Sequence, residues 1–284
     1  MKYLRAIESR ITNHIELAIQ LLLMALTAYV FITAKAFYLL KSPVIFLSLI
    51  TWLLFRNKIK HPIVWFTFFV LLSFDLFRSY LWVANHHFML MLIVLSIISY
   101  KYHKREAILV KNIQVLLVVV VLTSTLQKLF SHQFMSGEFY YDMMNRGALF
   151  RNFVNFFPDS VEIIDHNVEN LSSLKSSDPN DLDHIIIKDI FPNLAPICQI
   201  FAYITVTLEF TVAMAILTKP KHILTHLFLI TLILGILCTR LETGFMNLLA
   251  ICGLFLCHNL KMRLLYIIIA LGCLTLVITK YGYH

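Results

Sequence analysis

The sequence predicts an all-α integral membrane protein, a bundle of about nine transmembrane helices (8–10), with the N-terminus cytoplasmic and the C-terminus outside. Three observations predict it. Of the 284 residues, 59% are hydrophobic and only 14% charged, at a mean hydropathy of +0.78, whereas a soluble domain carries about a quarter charged residues. The apolar residues come in long blocks rather than in alternation. Lys and Arg collect between the blocks, and on alternate sides.

The blocks fall at roughly 16–40, 43–55, 62–84, 87–100, 108–130, 197–218, 223–239, 244–258 and 264–279. Crossing ~30 Å of hydrocarbon takes about 20 helical residues, so the shorter blocks are expected to tilt, insert halfway or be covered by protein. The first, Leu17 to Leu40, is too long for the core of a cleavable signal and lacks a small-residue cleavage site, so it is expected to stay as a span. With the N-terminus inside, the inner segments hold Lys2, Arg5 and Arg10; Arg56, Lys58 and Lys60; Lys101, Lys104, Arg105 and Lys111; Lys219 and Lys221; Lys261 and Arg263. That is more than half of the 24 basic residues, while the short outer segments hold only Lys41, Arg240 and Lys280. Such asymmetry sets orientation. A net charge of +8 also suits nucleic acid, but no aromatic-interleaved basic face accompanies it, so no nucleic-acid partner is expected.

The whole chain, 1–284, reads as one multi-span membrane domain. Between the fifth and sixth spans lies an acidic outer loop, 151–190, with Asp159, Glu162, Asp165, Glu169, Asp178, Asp181, Asp183 and Asp189. Its "SSLKSSDPND" (Ser172 to Asp181) has loop composition, with short amphipathic helices expected on either side. The segment reads as a solvated cap, or as a lid or docking element. The cysteines, Cys198, Cys238, Cys252, Cys257 and Cys273, form no C-x-x-C pair and read as small buried hydrophobes. A Cys198–Cys238 disulfide is the alternative.

Ionisable groups within spans cost a few kcal/mol each and usually face a protein interior or a water-filled cavity. Here they are Lys35 in the first span, Asp75 and Arg78 in the third, Lys128 at the end of the fifth and Glu209 midway along the sixth. Asn85, His86 and His87 occupy the outer turn after the third span, and Arg240 and Glu242 the outer turn after the seventh. All except Glu209 fall in the outer half or at its boundary, which describes a polar pocket opening outward. The plainer account pairs Asp75 with Arg78 at i, i+3 and lets Lys35, Lys41 and Lys128 snorkel. No H-E-x-x-H, G-x-S-x-G, P-loop or G-x-G-x-x-G is present. His86 and His87 are adjacent and point about 100° apart on a helix, so no metal is expected.

"NHHFMLMLI" (Asn85 to Ile93) and "QKLFSHQFMSGEFYYDMMNRGALF" (Gln127 to Phe150) resemble stretches of the vitamin K-dependent gamma-carboxylase and of the bacterial HTTM proteins sharing its membrane domain. In that pattern a Lys-Leu (here Lys128-Leu129) precedes an aromatic-rich segment, a glycine (Gly137) and a hydrophobic-aromatic ending (Leu149-Phe150). "CTRLETGFMNLLAICGLF" (Cys238 to Phe255) is a weaker similarity to the family's late span. The animal carboxylase has a large lumenal region after its last span, whereas the last span expected here, 264–279, lies near the end of the 284 residues. The resemblance implies reduced vitamin K or another hydroquinone as cofactor, with Lys128 as the base that deprotonates it and His86 as its catalytic partner. Asn85, His87, Gln127, Phe134 and Gly137 would line the cofactor site. Burial lowers an amine's pKa, so a lysine beside lipid can be a neutral base. The implied activity is proton abstraction from, and carboxylation of, a secreted peptide or protein at the outer face of the cell membrane.

Two other functions fit the same chain. One is a non-enzymatic chaperone or immunity-type protein that binds a peptide in the same cavity. The other is a small-solute transporter, disfavoured because no inverted repeat and few Gly- or Pro-broken spans are visible.

Overall fold

The computed structural model describes residues 13–33, 38–54, 61–78, 85–176 and 186–279. Among them the chain is all-helical, with no strand. Its helices are α1 (His14–Ile32), α2 (Tyr38–Leu54), α3 (Pro62–Arg78), α4 (Asn85–His103), α5 (Glu106–Phe130), α6 (His132–Met135), α7 (Glu138–Asn145), α8 (Arg151–Val154), α9 (Pro158–Ser176), α10 (Leu194–Thr218), α11 (Ile223–Arg240), α12 (Thr243–Leu256) and α13 (Leu260–Ile278). Every apolar block overlaps a helix. Among the described residues five helices, α1, α5, α10, α11 and α13, are long and apolar enough to cross a membrane.

The chain forms two compact units. The first takes the described residues up to Val120, Val212–Ile233 and those from Glu242 onward. Its packing starts from α1, whose Ala18, Leu22, Leu26 and Val30 are fully buried at i, i+4 spacing, the register of one helix face. That helix packs against α2, α12 and α13, while α3 joins α2 to α4. At 14 residues α12 is about 21 Å long, too short to cross ~30 Å of hydrocarbon alone. It is buried on every side, from Met246 through Leu256. Protein rather than lipid covers it, one of the outcomes expected for a short block. Where α12 meets α13, the Tyr266 ring lies over Gly253, and a Cβ there would sit 2.5 Å from the ring.

The second unit is Val121–Thr211 with Leu234–Leu241. Its core sets Phe134, Tyr140, Met144, Leu149, Ile164 and Ile190 against Leu194, Cys198, Ala202 and Val206 of α10. The segment read as a solvated cap or lid therefore has an apolar side. It is also fastened by polar contacts. Asn167, fully buried on α9, donates from Nδ2 to the Asn145 and Lys188 carbonyls (3.2 and 2.9 Å) and accepts from the Lys188 N–H at 2.9 Å. Asn145 Oδ1 accepts from the Ile190 N–H at 3.2 Å, and the Tyr141 hydroxyl donates to the Asp189 carboxylate. The α9 helix runs through Ser176, into the stretch expected to be loop; residues 177–185 lie outside the described ones. Cys198 and Cys238 are free thiols, the former buried against Met144, so the alternative disulfide is not formed.

Candidate functional site

Lys128 lies in the last turn of α5, and its position in sequence suggested a group reaching water or lipid. Its ammonium group instead donates to the Glu209 carboxylate, midway along α10, and to Ser124 Oγ at 2.8 Å. Ser124 in turn donates to the second Glu209 oxygen at 3.3 Å. Both carboxylate oxygens are thus engaged. The Glu209 side chain is 5% exposed and that of Lys128 24%, so the pair is approached from the lysine side.

The residues just after Lys128 in the chain form the wall beside it. Ser131 caps α6 by accepting from the Phe134 N–H at 3.3 Å, and the Phe134 ring centroid lies 5.7 Å from the Lys128 ammonium. Phe134, Phe139, Tyr140 and Phe201 pack ring to ring, with centroids 4.7–5.7 Å apart along the chain of contacts. Edge-to-face pairs of this kind add about 0.5–1.5 kcal/mol beyond area burial. The Tyr140 hydroxyl donates to Thr205 Oγ1 at 3.0 Å, and burial above all pushes its pKa up to about 12. Arg240, exposed at the end of α11, lies over the Phe139 ring at 5.9 Å. Gly137 has φ +85°, and an added Cβ would lie 2.6 Å from the Gln199 backbone nitrogen. The close approach it permits is that of the α6–α7 turn to α10. Gln127 is exposed beside Lys128.

The remaining sequence-predicted residues belong to the first unit. Asp75 does not pair with Arg78 as the i, i+3 spacing suggested. It takes Lys41, whose ammonium lies 2.9 Å from Asp75 Oδ2, 2.9 Å from the Thr33 carbonyl and 3.1 Å from Thr33 Oγ1. Lys41 does not snorkel; it is 1% exposed. Arg78 sits in the last turn of α3, where a cation complements the helix dipole. Lys35 falls outside the described residues, as does the Asn85 side chain.

His87 is fully buried, with Nε2 2.8 Å from the Leu72 carbonyl and Nδ1 2.8 Å from the Tyr29 hydroxyl. A carbonyl only accepts, so Nε2 carries the proton, and in the neutral ring Nδ1 accepts from Tyr29. His86 lies between the Tyr29 ring, edge-on at 5.8 Å, and Phe245, stacked at 6.3 Å. Tyr29, His86, Gly244 and Asn247 edge a cavity of about 30 Å³ between α1, α4, α12 and α13. That is room for about two water molecules. Glu242 is half-buried just before α12.

The structure thus brings together Lys128, Glu209 and Phe134, with Gly137 and Arg240 on the same aromatic cluster. Asp75, His86 and His87 belong to the other unit. Sequence reasoning missed Ser124, Thr205, Lys41 and Tyr29. Ser124 and Thr205 had a signal: each precedes an intramembrane charge, Lys128 or Glu209, by four residues, one helical turn. Among the described residues no three of His, Cys, Asp and Glu converge as metal ligands. Comparison with protein-family models, curated proteins and solved structures finds no match to the chain.

Proposed function

We propose that the protein is a multi-span enzyme of the cell membrane in which Glu209 and Lys128 exchange a proton with a lipid-borne substrate of reduced-quinone type. This is the chemistry of the gamma-carboxylase-like family that residues 127–150 resemble. The observation that carries it is the acid–amine pair itself, set within two apolar helices and open on the lysine side. The nine apolar blocks, each on a helix, favour nine crossings, and the basic residues favour a cytoplasmic N-terminus and an outer C-terminus. The working face is then the outer one, and the acceptor a secreted peptide or protein.

The pair divides the work differently from what the resemblance implies. An ammonium group held against a carboxylate has no lone pair to offer, so the proton acceptor is Glu209. Lys128 keeps its charge and holds a developing oxyanion, which fixed charges in a water-poor site do well. Leu126, Leu129 and Phe130 are exposed around Lys128, a surface that suits a ring arriving from the bilayer. A hydroquinone bound there would supply the oxygen-dependent formation of a stronger base.

The test uses purified protein in phospholipid with vitamin K hydroquinone, oxygen and bicarbonate, scored for quinone epoxide. Glu209→Gln is expected to lower the rate by about 10²-fold or more, the usual worth of a general base. Lys128→Met is expected to lose it too, while Lys128→Arg, which keeps the cation, retains part. Equal loss in both lysine variants would return the base to Lys128. Absence of epoxide from the unaltered protein with every hydroquinone tried overturns the enzymatic reading. The peptide-binding alternative is favoured by one observation, that Lys128 and Glu209 satisfy each other. It expects Lys128→Arg to be fully functional in cells.

A further inference from the structure

The stretch "NFVNFFPD", Asn152 to Asp159, carries Phe153, Phe156 and Phe157 at 46, 76 and 53% exposure, a run of uncovered aromatics in a segment otherwise acidic. Its two roots lie at helix ends. Phe150, held at φ 53°, donates its N–H to the Thr239 carbonyl at 2.8 Å, in the last turn of α11. The Phe157 ring meets Phe191 edge-on at 6.1 Å, three residues before α10 begins. Both α10 and α11 are long and apolar enough to cross a membrane. The aromatics therefore lie where one such helix starts and another ends, the level at which a span meets headgroups.

The backbone is equipped for that level. The N–H groups of Phe153, Val154, Phe156 and Phe157 donate to the carbonyls of Phe150, Phe153 or Val154, at 2.7–3.1 Å. A segment dipping into lipid must satisfy its amides internally, because each unsatisfied one costs several kcal/mol there. Along α10, Ile197, Ile200 and Ile204 form an exposed apolar stripe, the face that a bilayer covers. Phe191 continues it toward the segment.

We infer that Phe153, Phe156 and Phe157 insert into the interfacial layer of the bilayer, where aromatic residues concentrate, and so anchor residues 151–176 as a membrane-seated element. The inference rests on the membrane reading of α10 and α11 and on nothing about catalysis.

Nitroxide labels at Phe156→Cys and Phe153→Cys, in full-length protein with Cys238→Ser reconstituted in phosphatidylcholine vesicles, test it by collision with oxygen and with a water-soluble nickel chelate. Glu169→Cys on the exposed side of α9 marks water, and Ile200→Cys marks lipid. Positions 153 and 156 are expected to match 200, with nickel collision several-fold below that at 169 and oxygen collision several-fold above it. Nickel access at 156 equal to that at 169 overturns the inference. Exclusion of both reagents overturns it as well, since a second copy or a protein partner would then cover the aromatics. Nickel access at 200 would show instead that the membrane reading of α10 had failed.

Discussion

A lysine ammonium 1% exposed is stable only with its charge matched, and Lys41 has Asp75 and two oxygens of Thr33. Removing one member of such a pair costs about 3–5 kcal/mol, because the other remains as an uncompensated buried charge, while replacing both by apolar residues is often neutral. Asp75→Leu is accordingly expected to lower the unfolding midpoint in detergent sharply. Adding Lys41→Met should restore most of the loss, and failure of that rescue would count against the pairing. The sequence signalled a charge cluster but not its partners. Lys41 comes after an apolar block and so resembled a boundary residue, although α2 begins at Tyr38 and turns that position inward. Lys128 was legible as special, yet its partner Glu209 looked like the outlier of the group. Pairings between residues 81 apart depend on how helices dock, and a single sequence does not encode that locally.

At the scale of elements, the helices that carry apolar blocks were legible, because hydropathy marks each of them. Short structured pieces were not. The α6–α7 turn exists because Gly137 adopts a left-handed conformation against the α10 backbone, and nothing in the neighbouring residues states which surface a glycine lets approach. Gly137→Ala is expected to destabilise the protein by at least about 1–2 kcal/mol for the left-handed backbone alone, with the clash against Gln199 added. A lowered thermal midpoint, together with loss of any function that depends on Lys128, would be the measured result. An unchanged midpoint would mean that the turn yields easily. The acidic composition of 151–190 likewise concealed an apolar side, since Ile164 and Ile190 are few among many charges yet pack in the core.

For the whole molecule, the count of crossings and their direction are the coarsest quantities and the most readily tested. Alkaline phosphatase fused after Asn170 is expected to be active, and the same enzyme fused after Lys104 inactive, if the basic segments remain inside. The opposite pattern would invert the topology. Composition carried the all-helical, apolar character of the described residues, because hydropathy is a property of whole segments. It could not carry the division into two units, which α5, α10 and α11 each enter in turn.

The enclosure of α12 has a consequence for how the protein is made. This helix packs on α13, its immediate successor, and on α1, from which it is separated by most of the chain. Too short to sit comfortably in lipid alone, it finds cover only when both neighbours are present. The face of α1 that ends up buried must meanwhile wait, exposed to lipid or held by insertion machinery, until α12 and α13 have emerged from the ribosome. Completion of the first unit therefore follows synthesis of α13. Chains cut short before α13 are expected to be recognised as unfinished and degraded.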